Sequence, residues 1–377
     1  MNVGILGGGQ LGYMLALAGY PLDFHFRFLD PSPQAPVGRI ASRVTAEYTD
    51  FEALEKFAHG LALVTYEFEN VPVEAVRFLQ KLVPIYPPPQ ALEAAQDRLS
   101  EKSLFQKRAI ATTEFSPVNS PADLDNAVCK LGLPAVLKTC RLGYDGKGQW
   151  VLRTHEEVEH AKKEIPSAPL VLEKFVNFSR ELSILAVRSR SGEIAFYPLV
   201  ENHHRGGILR LSLAPAPRLA AALQREAENS ARSVLEALDY VGVLAIELFE
   251  CDGRLLANEM APRVHNSGHW TIEGAVTSQF ENHLRAVAGL PLGETRAIGH
   301  SAMLNLIGEL PDPAELLAVP DAHLHVYGKS LRPGRKVGHV TLRADSAEQL
   351  AQRLANLPPF FQRPEFCLSA GLATSAK

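Results

Sequence analysis

Two carboxylates standing where apolar side chains are expected dominate the stretch from Val243 to Thr271. Glu247 and Glu259 lie on two apolar runs separated by Asp252-Gly253, the pattern of a β-hairpin. Ala245, Ile246, Leu248, Leu255, Leu256 and Met260 surround them and leave little wet face. Paired carboxylates on rigid strands, followed by Arg263, His265, Asn266, Ser267, His269 and Trp270, suit a divalent cation bridging a triphosphate. The cationic tail would then cradle an attacking anion, and Arg263 with His265 implies a small, doubly cationic pocket. A half-exposed hairpin with its glutamates in water is the alternative. The pattern also makes a geometric demand. Strand side chains alternate, so a plain two-residue turn pairs Glu247 with Asn258 and sends Glu259 to the other face. A shared face requires a three-residue loop at Asp252-Gly253-Arg254 or a bulge.

Other motifs carry weaker signals. Gly7-Gly8-Gly9-Gln10-Leu11-Gly12 follows an apolar run and opens a helical one, so its amides could hold a phosphate or carboxylate. Asp30 stands eighteen residues past Gly12, which keeps a dinucleotide fold open; tight-turn packing alone also explains the glycines. Lys138 ends an apolar run ahead of Gly143 to Gln149, whose three glycines suit a loop closing over phosphates, or a simple hairpin turn. No Gly-Lys-Ser/Thr opens a helix there, so it is not a Walker loop. Glu173-Lys174-Phe175-Val176 ends a strand as an adenine edge reader would, with Glu181 placed for ribose; solvated loop charges are the default for that signal alone. Lys329, Arg332, Arg335 and Lys336 form a basic turn fit for a phosphate monoester or merely for solvent. His323 and His325 alternate on a strand with no third ligand near and read as structural.

An α/β framework must hold these groups. Asn2 to Leu6, Phe24 to Leu29 and Leu61 to Thr65 predict strands, with helices at Leu11 to Gly19, Glu52 to Ala58 and Pro72 to Leu82. The proline cluster from Pro84 to Pro89 marks a boundary. Ala91 to Ala109 predicts one helix, Pro217 to Leu238 a long amphipathic one, and Ala275 to Ala288 another. Strands are expected at Pro134 to Lys138, Trp150 to Leu152, Leu170 to Phe175, Glu181 to Arg188, Ala302 to Ile307 and His323 to Tyr327. At 377 residues the chain exceeds one ordinary core, so two or three domains are expected. Hydrophobic residues at 46% and charged ones at 21% are ordinary for a globular enzyme. A net charge of −4, from 38 basic and 42 acidic residues, argues against a nucleic-acid or membrane-surface binder. Cys129, Cys140, Cys251 and Cys367 match no disulfide or zinc pattern. No signal peptide and no membrane span is expected, and a cytoplasmic protein is the simplest reading.

Taken together, GGGQLG, DRLSEK, LGYDGKGQW, NFSRELS, NEMAPRVHNSGHWT and RPGRKVGH, in this order, resemble the 5-(carboxyamino)imidazole ribonucleotide synthetase family of ATP-grasp enzymes. The resemblance runs from Val3 to about Val340; the tail after Leu342 carries no recognisable motif. It implies an α/β (α+β ATP-grasp) fold: an N-terminal parallel-sheet Rossmann-like domain over 1–98, an ATP-grasp core over 99–290 with a small lid at about 113–178, and a C-terminal segment over 291–377 completing the core. It implies a ligase of purine biosynthesis in which bicarbonate attacks ATP to give carboxyphosphate, and the amine of 5-aminoimidazole ribonucleotide captures the carboxyl group.

By the same resemblance Arg98 and Lys138 contact the phosphates and Gly143, Tyr144, Asp145, Gly146, Lys147, Gly148 and Gln149 form the lid loop. Glu173, Lys174, Phe175 and Val176 bind adenine, Glu181 the ribose, and His204 lines the ATP site. Glu247 and Glu259, with Asn258, hold Mg2+, or Mn2+ in its place. Lys138, Arg263 and His265 are the catalytic set, the last two binding bicarbonate and orienting the amine. Gln10, Glu69, Tyr144, Lys147, Lys329 and Arg335 serve the ribonucleotide, so the glycine turn at Gly7 belongs to that substrate rather than to NAD. Lys147 stands where arginine is expected, which keeps the charge but loses the planar fork. A symmetric homodimer with small-molecule partners, and no nucleic acid or membrane, is also implied. The rivals are a formate-using ligase of the same fold, a nicotinamide-dependent oxidoreductase and a non-catalytic nucleotide-binding module.

Overall fold

The computed structural model describes residues 1–141, 143, 148–164 and 168–368. Four short runs near the N-terminus, β1 (Asn2–Leu6), β2 (His25–Leu29), β3 (Ser42–Val44) and β4 (Leu63–Tyr66), pair in parallel in the order β3-β2-β1-β4. Both faces are covered, which is why β1 is apolar almost throughout. Val3 and Ile5 pack toward the helix Gln10–Gly19, and Leu6 and Val64 toward Phe51–Ala58 and Val73–Gln80.

The single helix expected from Ala91 to Ala109 is two, Pro89–Ala95 and Arg98–Lys107. Asp97 causes the break: its carboxylate accepts from the amides of Leu99 and Ser100, both at 3.1 Å, and caps the second helix. The cap fixes Arg98 as the first residue of that helix.

Next comes a four-stranded antiparallel sheet, β5 (Phe115–Val118), β6 (Ala135–Thr139), β7 (Gln149–Leu152) and β8 (Leu170–Lys174), in the order β5-β8-β6-β7. Helices Pro121–Leu131 and His155–Glu164 cover one face, burying Ala135, Leu137, Leu170 and Leu172. Alternation sends Val136, Lys138 and Glu173 to the other. Tyr144, Asp145, Gly146 and Lys147 lie outside the described residues.

The core is a nine-stranded sheet of β9 (Arg180–Arg188), β10 (Ile194–Phe196), β11 (Val200–Arg205), β12 (Ile208–Ala214), β13 (Gly242–Cys251), β14 (Arg254–Ala261), β15 (His300–Ile307), β16 (Ala322–Val326) and β17 (Lys336–Ala344). Its order is β14-β13-β9-β11-β12-β15-β17-β16, with β10 on β9, and all pairs are antiparallel. The last three strands belong to the C-terminal segment, which therefore completes the core sheet. β17 is a strand where the sequence offered only a basic turn. The tail beyond Leu342 also packs inward, through Leu350, Leu354, Phe361 and Phe366. The helix Ala221–Ala237 covers one face of β9 and β13, while Gln279–Ala288 covers the other; the latter starts four residues later than expected, at its Ser278 cap.

The hairpin settles its own geometric demand. Cys251 pairs with Arg254, so the turn is the two residues Asp252 and Gly253, with φ of 50° and 73°. Positive φ at both positions matches the right-handed twist of the strands. The three-residue loop is not found; the bulge is. Leu248 pairs with Ala257 and Glu247 with Glu259, leaving Asn258 as the extra residue. Ala257 and Met260 point into one core and Ala261 into the other, whereas Asn258 and Glu259, though consecutive, both face the cleft.

Candidate active site

A cleft of about 1180 Å³ opens between the three sheets. The small sheet contributes Lys138 and Glu173, the core sheet Glu181, His204, Glu247 and Glu259, and the N-terminal turn Gly9 and Gln10. Arg263, His265 and Asn266 from the loop after β14, with Lys329 and Lys336, close its far end.

Glu247 and Glu259 are direct cross-strand partners on one face. Burial pushes Glu247 up to about 7, and Glu259 adds to the rise. Burial acts on Glu259 too, but Arg98 and then Lys138 outweigh it and hold that carboxyl below the ordinary range. Arg98 Nη1 donates to Glu259 Oε2 at 3.0 Å. Asn258 Oδ1, beside the pair, is buried without a hydrogen-bond partner. Two carboxylates and an unsatisfied amide oxygen form a hard-oxygen set that fits a divalent cation sharing its shell with phosphates. No group of three His, Cys, Asp or Glu among the described residues makes an all-protein metal cage.

Lys138 Nζ lies 3.0 Å from Glu173 Oε2 and Lys102 Nζ 3.3 Å from Glu173 Oε1. The Glu173 carboxylate therefore faces two lysines. Next to it Val136, Val151, Phe175, Phe178, Leu209 and Phe249 make an apolar slot. The rings of Phe178 and Phe249 stack at 4.6 Å. Strand-end bonds occupy the amides of Lys174, to Glu114 O, and Phe175, to Pro134 O; Val176 follows them at the lip of the slot. Lys174 Nζ itself turns to Glu114 at 2.9 Å. His204 Nδ1 meets Glu181 Oε2 at 2.6 Å. Burial would lower His204, but the Glu181 bond and the nearby Glu247 prevail and raise it. A flat apolar slot beside a polar His–Glu pair suits a purine and its ribose.

The far end differs from expectation in one respect. Burial, then Arg263 and Lys336, hold the His265 imidazole well below its ordinary value, so it is neutral. Of Arg263 and His265, the guanidinium alone then carries a charge, and the chamber's second cation is Arg98. Ser267 N–H donates to His265 Nδ1 at 3.3 Å, which leaves the ring proton on Nε2, 3.4 Å from Glu247 Oε1. Arg263 is ion-paired with Glu69. Both line a side chamber of about 80 Å³ with Arg98, Glu101 and His265, too small for a nucleotide but sized for an anion of a few atoms.

The glycine turn is already occupied. Gly9 N–H donates to Glu67 Oε1 at 2.7 Å and Gly12 N–H to Oε2 at 3.3 Å, while Gly8 N–H donates to Asp30 at 2.7 Å. A Cβ on Gly7, whose φ is 96°, would lie 2.7 Å from Glu67 Oε1. The chain's own carboxylates fill the position a pyrophosphate would need, and the dinucleotide reading fails there. Gln10 instead reaches Lys329 across the cleft. Arg335 is absent from the cleft lining; its guanidinium is held by Ser330 Oγ at 2.6 Å, and Lys336 lines the cleft in its stead. Gly143 and Gln149 line the cleft, and Gly148, at φ 69°, accepts from Thr139 N–H. His325 bonds Glu273 at 2.7 Å and stacks on His339, and His323 is exposed, so neither is near the site.

Lys102, Glu101 and Glu67 were not assigned from the sequence as site residues, whereas Asn266 and Lys336, read there as part of an anion pocket and of a basic turn, do line the cleft. Lys102 and Glu101 stand in DRLSEK, the one signal that could have found them. Glu101 accepts from Met260 N–H at 2.6 Å and is pushed up to about 8 by burial and then by Glu259.

Residues 103–280 match the ATP-grasp domain, 1–96 the ribonucleotide synthetase preATP-grasp domain, and 301–353 the phosphoribosylaminoimidazole carboxylase C-terminal domain. Fold and site thus define an ATP-grasp enzyme. The chain is 56% identical over 357 residues to the N5-carboxyaminoimidazole ribonucleotide synthase of Pseudomonas aeruginosa, spanning 95% of this chain and 98% of that one. A crystal structure of the N5-carboxyaminoimidazole ribonucleotide synthetase from Thermus thermophilus superposes with a TM-score of 0.91 at 62% identity, over 94% of this chain and 97% of that one. The Aspergillus clavatus N5-carboxyaminoimidazole synthase, solved with ADP and 5-aminoimidazole ribonucleotide, gives 0.88 at 32% identity, over 94% and 97%. The chain belongs to the N5-carboxyaminoimidazole ribonucleotide synthase family. Among the described residues no helix is long and apolar enough to cross a membrane.

Proposed function

We infer that this chain carboxylates 5-aminoimidazole ribonucleotide with bicarbonate at the expense of ATP, releasing ADP and phosphate, as a carbon–nitrogen ligase of purine biosynthesis. The observation that carries the reading is the paired Glu247 and Glu259, brought to one face by the bulge between the apolar slot and the small chamber.

Adenine occupies the slot at Val176 and ribose meets Glu181 and His204. The triphosphate runs past Lys138 toward Arg98, beside Gly143 and Gln149. Glu247, Glu259 and Asn258 Oδ1 would hold Mg2+, which when bound neutralises charge on the phosphates. Bicarbonate in the chamber lies against Arg263, in line for the terminal phosphate. Neutral His265 offers an Nε2–H donor to the carboxyphosphate or to the incoming amine. Gln10, Glu69 and Lys329 position the ribonucleotide, with its phosphate toward Lys329 and Lys336. Such chemistry depends on positioning and on excluding water from an acyl phosphate, more than on covalent help. The same reading divides the chain at 1–98, 99–290 and 291–377 and describes a cytoplasmic symmetric homodimer, to be checked by fractionation and light scattering.

A turnover assay with ATP, bicarbonate and the ribonucleotide, omitting each in turn, tests the reaction. ADP release that persists without bicarbonate, or that formate sustains equally, would overturn it.

Two more outcomes follow. Lys329→Ala should raise KM for the ribonucleotide at least tenfold and leave that for ATP within about twofold, as loss of one phosphate contact requires. Equal changes in both constants would place Lys329 elsewhere. Glu247, raised to about 7, is partly protonated near neutrality, and cation binding must expel that proton. Calorimetry in buffers of different ionisation heat should therefore show more proton release on Mg2+–ATP binding at pH 6.5 than at pH 8.5. The sign for stability is opposite. The folded chain holds this proton more tightly than the unfolded one, so the contribution is full below the ordinary carboxylate value and fades as pH rises through about 7.

A further inference from the structure

Lys102, on the helix Arg98–Lys107, has a side chain with 0% exposure. Its ammonium lies 3.3 Å from Glu173 Oε1, 3.4 Å from Thr112 Oγ1 and 3.5 Å from the carbonyl of Asn258, the bulge residue. Glu173 Oε2 meets Lys138 at 3.0 Å. A buried ammonium is costly unless paired, and here its carboxylate partner is shared with a second lysine. Two cations and one anion leave the cluster at +1 (2 − 1), where a Lys138–Glu173 pair alone would be neutral. Lys138 lines the cleft, and Lys102 stands behind it.

We propose that Lys102 is a positioning residue for phosphoryl transfer: by sharing Glu173 it leaves the Lys138 ammonium a net positive charge toward the nucleotide phosphates, and it pins the small sheet to the bulge. The proposal rests on the nucleotide reading of the cleft. Lys102 acts without touching substrate. Its contribution is electrostatic, and it disappears if the carboxylate it shares disappears too. Removing Lys102 alone makes the cluster neutral (1 − 1). Removing Lys102 and the charge of Glu173 together restores +1.

The experiment compares wild type, Lys102→Met and the double variant Lys102→Met/Glu173→Gln in calorimetric binding of ATP and of adenosine. Lys102→Met should lose ATP affinity roughly tenfold to fiftyfold, the scale of one unit charge acting over roughly 7 to 10 Å at an effective dielectric of about 20. The double variant should recover to within about threefold of wild type, and adenosine affinity should be the same in all three. Equal losses for ATP and adenosine, or a double variant no better than the single one, would overturn the proposal. If Lys102→Met does not fold, the double variant decides: wild-type ATP affinity supports the shared-charge account, and a tenfold loss defeats it. Failure of the wild type itself to bind ATP would sink the nucleotide reading, and this inference with it.

Discussion

Glu259→Gln should reduce turnover by roughly three orders of magnitude while leaving the unfolding temperature close to that of the wild type. The amide keeps the shape but removes one of the two carboxylates that, on the proposed reading, would hold the same cation, and groups preorganised around developing charge contribute on the order of 3–4 kcal/mol each. The structural cost is small because the Arg98–Glu259 pair is partly exposed to the cleft, and such pairs add about 1 kcal/mol or less. Steady-state ADP release, read beside a thermal melt, separates the two effects. A variant retaining a tenth of wild-type turnover would mean that the hairpin carboxylates do not act on the phosphates. Glu247→Gln should be nearly as damaging, and it should also abolish the proton release expected on cation binding.

Arg263→Ala is the second large effect, with an expected loss of about 10²-fold or more in kcat. Its guanidinium, paired with Glu69, lines the small chamber beside His265, whose imidazole burial holds well below its ordinary value. Loss of the planar fork removes bidentate recognition of a small oxyanion and frees the Glu69 carboxylate to repel it. ATP binding, whose adenine and ribose the proposed reading places at the apolar slot, should stay within about threefold. Bicarbonate-dependent ADP release is the measurement; a normal rate at saturating bicarbonate would move the anion elsewhere. Arg263→Lys should recover only part of the loss.

Local signals carry much of the framework. The strands around β1, β6 and β13 follow from apolar runs, and the parity of the hairpin alone confines its geometry to two solutions. Asp252-Gly253, which favours a two-residue turn, already points to the bulge. Features set by distant residues are not legible in the same way. Glu67 fills the glycine turn from the end of β4, and Lys102 finds Glu173 on another sheet; neither pairing leaves a periodic trace in either segment. The neutral state of His265 depends on burial and on Arg263 and Lys336, so imidazole beside arginine reads as two charges when only one is present. The break at Asp97 does leave a local mark, since aspartate ahead of a helical run is a capping signal. Basic residues and glycines mask the start of β17, whose buried half gains its meaning only between β15 and β16.

The one-residue irregularity in β14 yields a ruler for reading divergent chains. With a two-residue turn, residues 251 and 254 face each other, so regular partners have numbers summing to 505; Glu247 and Glu259 sum to 506. That offset is a parity mark: two acids on adjoining strands whose spacing is off by one from a two-residue turn share a face only if one strand carries an inserted residue, here Asn258, which faces the cleft with them. Excising Asn258 should leave the acids opposed and straighten the strand, taking away the amide oxygen together with the carbonyl that Lys102 reaches. A shortened chain that still folds, with its cation affinity weakened, would isolate what the added residue supplies.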